Sequence, residues 1–100
     1  MPTVYIVNKG GHDYSPAEEF GELVFLTEGV LEPTAVSQMY REIKEKLKNS
    51  NPEDYILLTS LTVTCAVAAA LFASKHGRVN FLLFSKGNRY VERTLVLDKD

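Results

Sequence analysis

The chain has 100 residues, enough for one domain with a single modest core and too few for a second lobe. Its formal charge of −2 mixes 11 basic and 13 acidic side chains, so no strong field draws nucleic acid to the whole molecule. The single cysteine, Cys65, excludes an internal disulfide and a cysteine-rich zinc site.

Thr3 to Asn8, TVYIVN, is short, β-branched and apolar on both faces, which predicts a buried strand. The N-terminus therefore reads as a strand after two residues and not as a signal peptide. Lys9 to Tyr14 is a loop. Ser15-Pro16-Ala17-Glu18 reads as a capping box, with Ser15 as N-cap, Pro16 at the first helical position and Glu18 at the third. Gly21 keeps that helix brief, and Leu23 to Thr27 is the next strand. From Pro33 to Lys48, the residues Val36, Met39, Tyr40, Ile43 and Leu47 recur at spacings of three and four, the stripe of an amphipathic helix. Asn49-Ser50-Asn51-Pro52 ends it.

Tyr55 to Thr59 is a third buried strand. Thr59 and Ser60 offer caps for a helix over Leu61 to His76, closed by Gly77. Val79 to Phe84 is a fourth strand, Ser85 to Asn88 a turn, and Arg89 to Leu97 a final strand of period two that reads as an edge. The most apolar run, Leu61 to Ala73, is too short to span a membrane, so a cytoplasmic setting is the default.

Strands alternating with helices predict a parallel sheet with helices on its faces. Right-handed crossovers give a single α/β Rossmann-like three-layer sandwich over residues 1–100. The predicted strand order is second, first, third, fourth, fifth. The last two strands, joined by a four-residue turn, form an antiparallel edge hairpin. In such sheets ligands sit past the C-terminal strand ends where the order reverses, here between the first and third strands.

The loops at that crevice carry the candidate site. Gly10 and Gly11 allow close backbone approach or positive φ, Lys9 adds a charge, and His12 and Tyr14 add polar and stacking groups. Thr59, Ser60 and Thr62 add hydroxyls at a helix start, where free amides attract phosphate. Glu28, at the end of the second strand, is placed to meet a sugar hydroxyl. Neither GxGxxG nor a P-loop is present, and no motif calls for a cofactor. His12 and Asp13 are the outside candidates for catalysis as base and orienter, and with Glu28 for a metal. Cys65 reads as a small core residue. The basic residues Arg78, Lys86, Arg89 and Arg93 gather near the last hairpin but alternate with acids, as on a solvated edge. The helix LTVTCAVAAALFAS is apolar or small nearly all round, which predicts a homodimer through it.

The stretches VNKGGHDYS, FGELVFLTEG and YILLTSLTV, the last beside an alanine-rich helix, resemble a family of small uncharacterised proteins of tailed bacteriophages. The resemblance implies expression in a bacterial host and carries no activity to transfer. The resulting expectation is a non-catalytic protein that binds a small anionic ligand, a nucleotide or another phosphate-containing anion, at the C-terminal ends of the parallel strands. The alternatives are a protein-interaction module, acting through the apolar helix or the edge strand, and a small phosphoester hydrolase using His12 and Asp13.

Overall fold

The computed structural model describes residues 1–59 and 61–98. They form one five-stranded sheet of order β2-β1-β3-β4-β5, as expected from the sequence. The strands are β1 (Thr3–Ile6), β2 (Glu22–Phe25), β3 (Tyr55–Leu57), β4 (Arg78–Ser85) and β5 (Arg89–Val96). The first four run parallel, and β5 returns antiparallel along β4, with Ser85 opposite Arg89 and Arg78 opposite Val96. The helices α1 (Val36–Lys46) and α2 (Thr62–His76) pack together against one face.

That face holds the larger core. Met39, Ile43 and Leu47 from the α1 stripe meet Ala68 and Phe72 of α2 over Tyr5, Val7, Leu26, Ile56 and Val79. Two members of the predicted stripe, Val36 and Tyr40, are exposed. On the other face Val4, Ile6, Leu57, Leu82 and Tyr90 are covered by Tyr14 and Ala17, which belong to the β1 loop and a 3-10 helix at Ser15–Glu19. The third layer is thus a single five-residue turn. The reversal of strand order at β1 explains it: the crossover to β2 passes over one face, and both later crossovers pass over the other.

Two predicted caps differ. The capping box does not form, because the segment closes as a tight 3-10 helix with Ser15 already inside it. The Ser15 N–H donates instead to Asp13 Oδ1 at 3.0 Å, a local side-chain turn. At α2 the N-cap is Leu61, with extended backbone and no side-chain cap bond. Ser60 lies outside the described residues.

α2 packs one line of its residues into the core and exposes another. Thr64, Ala68 and Phe72 are buried, and its outward line, Thr62, Ala66, Ala70 and Ser74, is made of small residues. Gly77 closes it in the left-handed conformation (φ 72°). Lys75 reaches from α2 to the end of α1, where its Nζ donates to the Leu47 and Lys48 carbonyls at 2.9 and 2.6 Å. Those are among the orphan acceptors of a helix terminus.

Gly21 fixes the entry to β2. A Cβ there would lie 2.0 Å from the Pro2 carbonyl oxygen, so only glycine allows the N-terminal strand to pass. At the opposite end of the sheet from the candidate site, a buried polar network ties strands together. Asp54 accepts the amides of Thr3 (2.9 Å) and Asn51 (2.8 Å), and Asn80 donates to the Pro52 and Asp54 carbonyls. Thr94 and Arg78 both donate to Asn80 Oδ1.

Candidate functional site

The loops after β1 and β3 converge at the reversal of strand order and enclose a cleft of about 270 Å³. Its floor is Leu57, Leu58 and Thr59 at the end of β3. One wall is His12, Asp13 and Tyr14 from the β1 loop, and the other is Phe84, Asn88 and Tyr90 from the β4–β5 hairpin, which overhangs the crevice. The walls are largely aromatic. Phe84 and Tyr90 meet edge-on with centroids 5.4 Å apart, and His12 meets Tyr14 in the same way at 6.1 Å.

Of the candidates in the sequence, the structure brings His12, Asp13, Tyr14 and Thr59 to the cleft. Lys9 and Glu28 are directed elsewhere. The first half of the loop is stitched to the end of β2: the Lys9 N–H donates to the Thr27 carbonyl at 2.9 Å, and Asn8 Nδ2 donates to the Gly29 carbonyl at 3.2 Å. Lys9 and Glu28 therefore stand side by side in an isolated bridge. The Lys9 ammonium lies 4.0 Å from Glu28 Oε1 and 5.4 Å from the centre of the Phe25 ring. Both side chains are well exposed, so the pair adds little stability.

Gly10 and Gly11 adopt no positive φ among the described glycines that do. Gly10 serves a different purpose. Its N–H donates to the Tyr14 phenol at 3.0 Å, and that phenol donates to the Asn8 carbonyl at 3.3 Å. A Cβ on Gly10 would press on the same oxygen at 3.3 Å, whereas one on Gly11 would meet nothing within 4 Å. Tyr14 is buried and packs edge-on against Phe25 at 5.7 Å, so it is a wall of the cleft and the clasp of its loop. Thr62 opens α2, exposed and outside the cleft lining.

The chemistry of the lining is unevenly engaged. Asp13 is exposed, and its bonds with the Ser15 backbone and then the Ser15 side chain hold its carboxyl below the ordinary carboxylate range. His12 is exposed too, and among the described residues no hydrogen bond joins it to Asp13. No three His, Cys, Asp or Glu side chains cluster as a metal site among the described residues, and Glu28 stands with Lys9. Tyr90 is 9% exposed, and no described residue hydrogen-bonds its hydroxyl. Burial, and then the neighbouring Tyr14 and Asp13, push its phenol up, so it stays protonated. Cys65 is half-buried against the main core, and burial pushes its thiol up, away from a reactive thiolate.

Sequence reasoning placed the hairpin at the sheet edge but missed its share in the cleft wall. Phe84 and Tyr90 were legible as a cross-strand aromatic pair flanking the Gly87-Asn88 turn, where both residues are left-handed (φ 80° and 60°). What was not legible is that the hairpin extends beyond the end of β3 and closes the crevice from the side.

Compared with known proteins, residues 2–96 match the family model described as Phage Pam3 gp32-like protein. No curated protein and no solved structure matches.

Proposed function

The chain belongs to the Phage Pam3 gp32-like protein family, and on that premise we propose that it binds a small ligand without catalysis, a nucleotide whose base enters the cleft between the β1 loop and the β4–β5 hairpin. The observation that carries the reading is the aromatic lining of the cleft: His12, Tyr14, Phe84 and Tyr90 stand around the switch point of the sheet, where a flat base can stack. The cleft volume of about 270 Å³ falls just below the roughly 300–1,000 Å³ of pockets that enclose a drug-sized molecule. It suits a base and part of a sugar. The phosphate then projects outward past Thr59, toward the first turn of α2, whose leading amides have no side-chain cap. Uniform exposure of His12 and Asp13 supports binding over hydrolysis, because neither orients the other.

The test is titration calorimetry with each of the four common nucleoside monophosphates. At least one is expected to bind with a Kd below about 1 mM. Phe84→Ser removes a stacking face and is expected to weaken that binding about tenfold, with the melting temperature unchanged because Phe84 is 63% exposed. Heat signals from none of the four would reject the reading.

A second reading is favoured by a different observation. The large exposed apolar side chains Leu83, Leu95 and Val96 lie on β4 and β5, and β5 is a free sheet edge of eight residues. That edge suits docking of a protein partner or a second copy of the chain. A dimer through α2, by contrast, would join only small outward residues. Light scattering of Val96→Glu beside the native chain distinguishes these: a native dimer that the substitution dissolves supports the edge.

A further inference from the structure

One polar group in the cleft has a fixed sense. Thr59, Asn88 and Tyr90 can each donate or accept, and His12 can do either according to tautomer. The Asp13 carboxylate only accepts. Its Oδ1 takes the Ser15 amide at 3.0 Å and the Ser15 side chain engages it as well, but a carboxylate has about four lone-pair sites on two oxygens, so about two remain free. It is the only anion of the lining, and no lysine or arginine there balances it. A phosphate would meet that charge uncompensated. A ring edge made of N–H groups would be held by it.

Resting on the nucleotide reading above, we infer that the cleft selects guanine among the common bases, with Asp13 accepting from the ring N1–H and the exocyclic 2-amino group. Guanine alone presents two adjacent N–H donors to a single carboxylate. Adenine and cytosine each set one amino group beside a ring acceptor, which the carboxylate repels. Uracil sets one N–H between two carbonyls. The two parallel bonds to guanine form a charge-assisted bidentate pair, which gives direction as well as affinity. The Tyr90 hydroxyl and the Asn88 amide can then donate to the acceptor edge of the ring, while Phe84 covers one of its faces. Asn88 is set for this by its left-handed backbone, which turns the hairpin tip at the cleft mouth.

The experiment compares guanosine, inosine, adenosine and cytidine monophosphates by calorimetry on the native chain and on Asp13→Asn. Guanosine monophosphate is expected to bind at least about tenfold more tightly than the adenosine and cytidine forms, in line with the worth of one bidentate base contact. Inosine, which lacks the 2-amino group, is expected to fall between. Asp13→Asn keeps an oxygen for the Ser15 amide, so the loop stays closed, and it is expected to bring guanosine down to the level of adenosine with the melting temperature unchanged. Adenosine binding as tightly as guanosine, or a guanosine preference that survives Asp13→Asn, overturns the guanine assignment and leaves the nucleotide reading in place. Binding of none of the four overturns the guanine assignment, and silence from uridine monophosphate as well overturns the nucleotide reading.

Discussion

The Tyr14 phenol oxygen accepts the Gly10 N–H at 3.0 Å, so the side chain that follows the glycine pair closes the loop in which those glycines lie. The same hydroxyl donates to the Asn8 carbonyl. Tyr14→Phe keeps the ring against Phe25 and removes both bonds. We expect it to cost about 0.5–1.5 kcal/mol for each lost bond, measured as a lower denaturant midpoint at constant slope. It should also weaken nucleotide binding. A full-strength complex from the variant would show that the clasp does not shape the cleft.

Gly11 and Gly21 differ in what they tolerate. Gly21→Ala places a methyl 2.0 Å from the Pro2 carbonyl oxygen, which must move. The expected loss is about 1–3 kcal/mol, as for other overpacked sites. Gly11→Ala meets open space and is expected to stay within about 0.5 kcal/mol of the native chain. Chemical denaturation of both variants checks the contrast, and equal losses would contradict it.

Asp54 is 3% exposed and holds two amides from different parts of the chain. Asp54→Ala strands both the Thr3 and the Asn51 N–H. An expected loss of about 1.5–3 kcal/mol follows for hydrogen bonds to a charged group. Asp54→Asn retains an acceptor and is expected to lose less. A thermal melt in which the two substitutions are indistinguishable would rule out the carboxylate as the anchor of β1.

His76 makes stability depend on pH. Its Nε2 lies 2.9 Å from the Ser50 hydroxyl, which itself donates to the Leu47 carbonyl, so the ring is the donor in that pair. Burial and then the Lys75 charge lower its pKa from 6.5, against a smaller opposing pull from Asp54 and Glu53. The unfolded chain therefore binds the proton more readily than the folded one. The contribution is complete above pH 6.5 and falls away as the pH drops from there through the folded value. Melts between pH 5 and 8 are expected to show this decline, and His76→Gln to flatten it. An unchanged slope in the variant would assign the decline to the carboxylates.

The order of the strands was legible because each step in it follows from chain chemistry. Runs such as TVYIVN and YILLT are too short and too β-branched for helices, and the segments between them allow only right-handed returns. The side of the site was legible for the same reason. The identity of its walls was only partly so. Tyr14 and Thr59 follow directly from their strands, but the position of Lys9 depends on the bond from its amide to Thr27, a register choice that no local pattern encodes. Ser15 reads as a helix N-cap, yet the segment closes as a 3-10 helix that already includes it, and its own amide goes to Asp13. Phe84 and Tyr90 lie in neither loop that the strand order brings to the crevice, and only the length of the hairpin carries them there.

A five-residue 3-10 helix, with Tyr14 before it and Phe20 after it, covers one core, while helices of 11 and 15 residues cover the other. Short turns of this type have poor hydrogen-bond geometry and open easily. The two sides of the sheet therefore belong to different exchange units. Amides of Ala17 and Phe20 should take up deuterium through small local openings, long before those of β3 and α2, which wait for global unfolding. The more labile unit begins one residue after Tyr14, in the wall of the cleft. Occupancy of the cleft should thus be readable as slowed deuterium uptake over Ala17 to Phe20, with part of the affinity spent on quieting that turn.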